Sequence, residues 1–249
     1  MPLAATPLSP LIASALRNTV AALLIIAGVA AGITGIFQLP AGYAAQVLAV
    51  FSGLLLVLSP FLPHHRPLTR FGPANRVTLL RAGIAALLAG VVGRAAPEPG
   101  LAWLFAALAG LALLLDGVDG WLARRGGWQS AFGARFDLEI DAFFILTLSA
   151  LVWQSGKADD WVLLSGGLRY GFVALGQILP WLNRPLPPRR RRQTVCVIQT
   201  AILAICLIPS LVPPWTTLLA ASALLALIGS FAVDTVWLAR HAGRESAPS

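Results

Sequence analysis

Apolar residues run on for about a helix length before polar ones interrupt them, and this happens eight times along the chain. The runs lie near residues 16–37, 43–62, 77–93, 101–122, 136–155, 161–183, 195–211 and 216–238. Each is roughly 17–25 residues long, which is what an α-helix needs to cross a hydrocarbon core. Proline and glycine collect in the joints FQLPAG, LPHHRPLTRFGP, RAAPEPG, NRPLPPRRRRQ and PSLVPPW. Such breakers suit loops between spans. Strand-like alternation, the mark of a transmembrane barrel, is absent. The first run is too long, and too closely followed by a second, for a cleaved signal peptide. The pattern predicts an all-α polytopic bundle of about eight transmembrane helices.

Composition agrees. Hydrophobic residues make up 57% of the chain and charged ones 11%, where a soluble domain is about one quarter charged. The net charge of +8 is carried by arginines in alternate joints. Arg66, Arg70 and Arg76 fall in one, Arg124, Arg125 and Arg135 in the next, and Arg184 with the run Arg189–Arg192 in a third. The remaining joints hold only Arg94 and Lys157. The positive-inside rule then expects both termini and the basic joints in the cytoplasm, and the membrane to be the inner one if the protein is bacterial. Topology accounts for the charge, so no nucleic-acid partner is expected. Cys196 and Cys206 lie ~15 Å apart on one helix, too far for a disulfide. Seven tryptophans near span ends read as an interfacial belt.

The acids are distributed unevenly. Of ten in the chain, five lie between Asp116 and Asp141, flanked on both sides by apolar runs. Asp116 and Asp119 are three apart at the end of the fourth span. Asp137 and Asp141 are four apart at the start of the fifth. Each pair shares a helix face. The joint between them is short, so the two helices are antiparallel neighbours and the four carboxylates can converge at one depth. A single aspartate here would read most simply as a cap or an interfacial ion pair. Four at these spacings repel one another unless cations neutralise them, and intramembrane acids face partners, cavities or ions. Hard cations such as Mg²⁺ take oxygen ligands and keep sites for substrate phosphates. Gly117, Gly120 and Ala123 leave room for a bulky group, and Arg124 offers a fork suited to phosphate. A remaining acid is a candidate general base. Glu139 falls on a different face.

This stretch resembles the signature of the CDP-alcohol phosphatidyltransferase family, D-x2-D-G-x2-A-R-x8-G-x3-D-x3-D. Asp116, Asp119, Gly120, Ala123, Arg124, Gly133, Asp137 and Asp141 meet its eight fixed positions. NRVTLLR at 75–81 is similar to the N-x2-T-x2-R at the start of the family's first core helix. The resemblance implies a six-helix core, usually dimeric, at about residues 70–249, with 1–69 forming two additional N-terminal helices. It implies two divalent cations, Mg²⁺ or Mn²⁺, on Asp116, Asp119, Asp137 and Asp141, with Asp141 also the catalytic base. It places Asn75, Thr78, Gly120, Arg124 and Ser130 against the nucleotide of the donor. The implied reaction moves a phosphatidyl group from CDP-diacylglycerol to an alcohol, with release of CMP, in phospholipid biosynthesis at the bilayer. The acceptor stays open; Arg169, Arg189 and Arg190 are candidates to bind it. Asp234 reads as an interfacial structural residue. Two other functions remain at this level: an ion transporter with a carboxylate-lined pathway, and an inactive metal-binding membrane scaffold.

Overall fold

The computed structural model describes residues 8–40, 42–95, 97–183 and 190–242. Among them are eight α-helices and no strand: α1 (Leu8–Ile36), α2 (Gly42–Leu58), α3 (Pro73–Ala89), α4 (Pro99–Gly126), α5 (Ala131–Gln154), α6 (Leu164–Ile178), α7 (Arg190–Cys206) and α8 (Trp215–Ala242). Each expected apolar run has its helix. The breakers act where they stand: α3 and α4 open on Pro73 and Pro99, where the missing N–H would have had no partner anyway. Gly127, at φ +67°, closes α4 in the left-handed conformation that side chains resist.

Four stretches among the described residues are long and apolar enough to cross a membrane: Pro10–Ile36, Gly42–His65, Pro99–Gly126 and Trp215–Arg240. Their outward faces carry large apolar side chains. Leu24, Leu56, Leu114 and Leu225 are 67, 71, 72 and 69% exposed. Water penalises such a surface and lipid accepts it. The chain is a multi-pass membrane protein. The other helices are shorter, at 17, 15 and 17 residues for α3, α6 and α7, or, in α5, interrupted by Arg135, Asp137, Glu139 and Asp141.

The chain forms two compact units, Met1–Phe144 and Ile145–Ser249, with the boundary inside α5. In the first, α3 packs against α1, α2 and α4. Its small residues allow that closeness. Ala82, Ala85 and Ala86 are fully buried, and a side chain on Gly83 would collide with Ile26 of α1. Tyr43 of α2 donates to the carbonyl of Leu87 at 3.1 Å, and Gln46 donates to those of Ala89 and Val92 at 3.0 and 3.1 Å. The Leu87 and Ala89 carbonyls lie in the last turn of α3 and that of Val92 in the turn after it, where the regular helical pairing of carbonyls has ended.

In the second unit α7 packs on α8. Arg191 ties them, donating to Asp234 Oδ1 at 2.6 Å and to the carbonyl of Ser230 at 2.9 Å. Asp234 is therefore the structural residue expected, with α7 supplying its partner. Gly166 of α6 sits against Leu146 in the second half of α5, so closely that a side chain would meet the Leu146 backbone.

Candidate active site

One arginine organises the first unit. Arg81 lies on α3 in the apolar sequence NRVTLLRAGIAALL, with its side chain only 3% exposed. Its Nη2 is 2.8 Å from Asp116 Oδ1, and its Nη1 is 2.7 Å from both Asp119 Oδ2 and Asp137 Oδ1. Nη2 also donates to Asp141 Oδ1. All four carboxylates expected to converge therefore do, and they converge on a cation. A guanidinium is the side chain suited to this, because its planar fork aims several donors at once. Thr78, one turn before Arg81, places its hydroxyl 3.1 Å from Asp119 Oδ2 and 3.2 Å from the Ala74 carbonyl.

The charges do not cancel. Four carboxylates against one guanidinium leave three formal negative charges in a partly buried site. Oxygens of Asp116, Asp119 and Asp137 lie within 4.8 Å of one another. Hard oxygen donors at that spacing, already gathered on a positive group, fit Mg²⁺ or Mn²⁺. The donor set therefore suits the cations that the sequence implies.

Beside the carboxylates is a cavity of about 300 Å³, of ligand-pocket size. Asp119 and Asp137 line it, and so do the expected nucleotide residues Asn75, Thr78, Gly120, Arg124 and Ser130. Local structure places each of them. Arg124 lies one turn after Gly120 and folds back over it; a side chain at Gly120 would come within 3.0 Å of Nη1. Ser130 caps α5: its Oγ accepts from the Gly133 N–H at 2.9 Å, and its carbonyl accepts from Ala134. Asn75 is 3% exposed and donates to the Phe71 carbonyl at 2.7 Å. A side chain on Gly133 would sit 3.0 Å from Asn75 Oδ1 and 3.2 Å from Ser130 Oγ, so glycine keeps this corner open.

Arg169 lies half-buried on α6 in the second unit. Arg189 and the side chain of Arg190 lie outside the described residues.

Three residues of this region carry no role in the sequence reading. Arg81 had a signal, as the last fixed residue of the N-x2-T-x2-R match and an arginine in an apolar helix. Trp128 lines the cavity. Its indole fills the space beside Gly72 and Gly126, so neither could carry a side chain without displacing it. It follows the left-handed Gly127, and its N–H bonds to the Ala123 carbonyl at 3.2 Å, the six-to-one bond that closes a helix. His65, fully buried, had only its place in a polar joint.

The family model for CDP-alcohol phosphatidyltransferases matches residues 71–233, well over half of the chain and including every residue of the carboxylate cluster. No curated protein and no solved structure gives a significant match.

Proposed function

Because the chain belongs to the CDP-alcohol phosphatidyltransferase family, we propose that it moves the phosphatidyl group of CDP-diacylglycerol to an acceptor alcohol and releases CMP. The observation that carries this reading is the convergence of Asp116, Asp119, Asp137 and Asp141 on Arg81 beside a cavity lined by Asn75, Arg124 and Ser130.

Asp116, Asp119, Asp137 and Asp141 would hold two divalent cations, Mg²⁺ or Mn²⁺. Bound there, such ions would supply positive charge that offsets the negative charge developing on the phosphates during displacement. Asp141 takes the proton of the acceptor hydroxyl, as a positioned carboxylate can. The alcohol oxygen forms its bond to the lipid-side phosphorus as the bond from that phosphorus to the CMP oxygen breaks. Arg124 faces the departing CMP phosphate with a bidentate fork. Arg81 keeps the four carboxylates together when fewer cations are present. Residues 70–249 are the core that does this, and 1–69 are an addition to it. We place the protein in a cytoplasmic membrane, as a homodimer, with its termini and site toward the basic, cytoplasmic side. Acyl chains then stay in the bilayer while the cytidine reaches water.

The test is product identification. Protein reconstituted in liposomes receives CDP-diacylglycerol, Mg²⁺ or Mn²⁺, and glycerol 3-phosphate, inositol phosphate, serine, choline, ethanolamine or a lipid alcohol, one at a time. Mass spectrometry of the lipids should show one new phospholipid, absent with Asp141→Asn. A wild type that neither binds the CDP-lipid nor makes a phospholipid would overturn the reading.

A further inference from the structure

We propose that His65 is a positioning residue for the nucleotide end of this site: it fixes the Ser130 hydroxyl so that the cavity meets a hydrogen-bond acceptor there. The inference rests on the function proposed above. It also gives the N-terminal helices a task in the chemistry, because His65 lies before the first residue the family model covers.

The argument begins with the backbone. After α2 the chain makes a 3-10 turn, Ser59–His65, and then runs to Pro73 at the start of α3. His65 is 0% exposed and Phe71 4%. This strap is held from two sides. The Phe71 N–H donates to Ser14 Oγ of α1 at 3.2 Å. On the other side an aromatic cluster clamps it to the first turns of α5. His65 meets Phe132 edge-on at 5.7 Å between centroids, Phe71 packs on Phe132 and Phe136 at 6.2 Å, and Phe132 stacks on Phe136 at 5.6 Å. The ring of His65 therefore has one orientation.

The proton positions follow from its two partners. Nε2 is 2.9 Å from the Arg70 carbonyl, which can only accept, so Nε2 carries a hydrogen. Nδ1 is 2.6 Å from Ser130 Oγ. Neither partner is an anion, and a buried ring without one is held neutral. Nδ1 is then bare and accepts, so the Ser130 hydroxyl donates its only proton to it. Ser130 Oγ also accepts from the Gly133 N–H at 2.9 Å. One lone pair remains on Ser130, a cavity-lining residue. The cavity consequently meets an acceptor at that point, matched to a hydroxyl or amino group of the nucleotide. Without His65 the hydroxyl rotates, and it presents a donor or an acceptor according to what approaches.

The test uses full-length protein and reads KM for CDP-diacylglycerol separately from kcat. His65→Phe keeps the ring against Phe132 and removes both hydrogen bonds. His65→Gln restores one donor and one acceptor. For His65→Phe we expect KM to rise roughly three- to tenfold, the worth of one hydrogen bond, with kcat little changed. His65→Gln should recover most of that. In a Ser130→Ala background the His65→Phe change should have no further effect on KM, because its effect passes through Ser130. Equal KM values for wild type and His65→Phe, or a full additional rise in the Ser130→Ala background, would overturn the proposal alone. A wild type with no affinity for CDP-diacylglycerol overturns it together with the transferase reading. If His65→Phe does not fold, His65→Leu, which also lacks both hydrogen bonds, replaces it: a raised KM that Ser130→Ala does not raise further supports the proposal, and wild-type KM contradicts it.

Discussion

At the residue scale the four aspartates were legible because their spacing is periodic. Two pairs at i,i+3 and i,i+4 on helices joined by a short loop each share a face and can converge at one depth. Arg81 was less legible, since its partners are 35 to 60 positions further along the chain, and a lone arginine in an apolar helix says only that something opposes it. Its importance lies in charge balance. Arg81→Met leaves four carboxylates facing one another with no cation. Loss of one member of a buried ion-pair group costs about 3–5 kcal/mol. The expected result is a markedly lower melting temperature in metal-free buffer, and a rise on adding Mn²⁺ that exceeds the rise in wild type. Arg81→Lys keeps the charge but cannot fork to four carboxylates. It should retain more stability and still lose about 10²-fold in turnover through misplaced carboxylates. Thermal unfolding followed with and without Mn²⁺ checks the first, and steady-state kinetics the second. Equal Mn²⁺ stabilisation of wild type and Arg81→Met would contradict the charge-balance account.

At the element scale, helix existence and order were legible from apolar runs and from breakers such as Pro73 and Pro99. Close approach between helices was not. Gly166 and Gly167 stand side by side in SGGL, and nothing in that sequence separates them. In the folded chain Gly166 lies on the Leu146 backbone, while Gly167 has nothing within 4 Å. A backbone cannot move aside as a side-chain tip can. Gly166→Ala should therefore destabilise by about 1–3 kcal/mol through overpacking. Gly167→Ala should be neutral, or stabilising by up to about 1 kcal/mol, because alanine is the better helix former. Denaturation midpoints of the two variants in one detergent make the comparison. Equal midpoints would mean that α5 and α6 do not meet at Gly166.

At the scale of the whole molecule, the membrane setting was legible from composition and arginine placement, which obey rules that hold for any bilayer. The role of the N-terminal helices was not. The bonds from Ser14 to Phe71 and from His65 to Ser130 join positions 57 and 65 apart, with no periodic trace. Topology can be tested directly. With both native cysteines replaced by alanine and the protein made in a bacterial host, a single cysteine at Arg125 should react with an impermeant maleimide only after the host's inner membrane is opened. One at Asp160 should react in intact spheroplasts. The reverse labelling would invert the orientation, and with it the side from which donor and acceptor arrive.

The claim on which the rest depends is that the carboxylate cluster is the centre of a cation-dependent displacement on a CDP-lipid. Its most direct test is the initial rate of CMP release from CDP-diacylglycerol with the productive acceptor, measured for wild type, Asp141→Asn and Asp234→Asn, each with Mn²⁺ and with a chelator. The account predicts release by wild type and Asp234→Asn that the chelator abolishes, and a loss of about 10²- to 10⁴-fold in Asp141→Asn. CMP release that survives chelation, or that Asp141→Asn leaves at the wild-type rate, would contradict it.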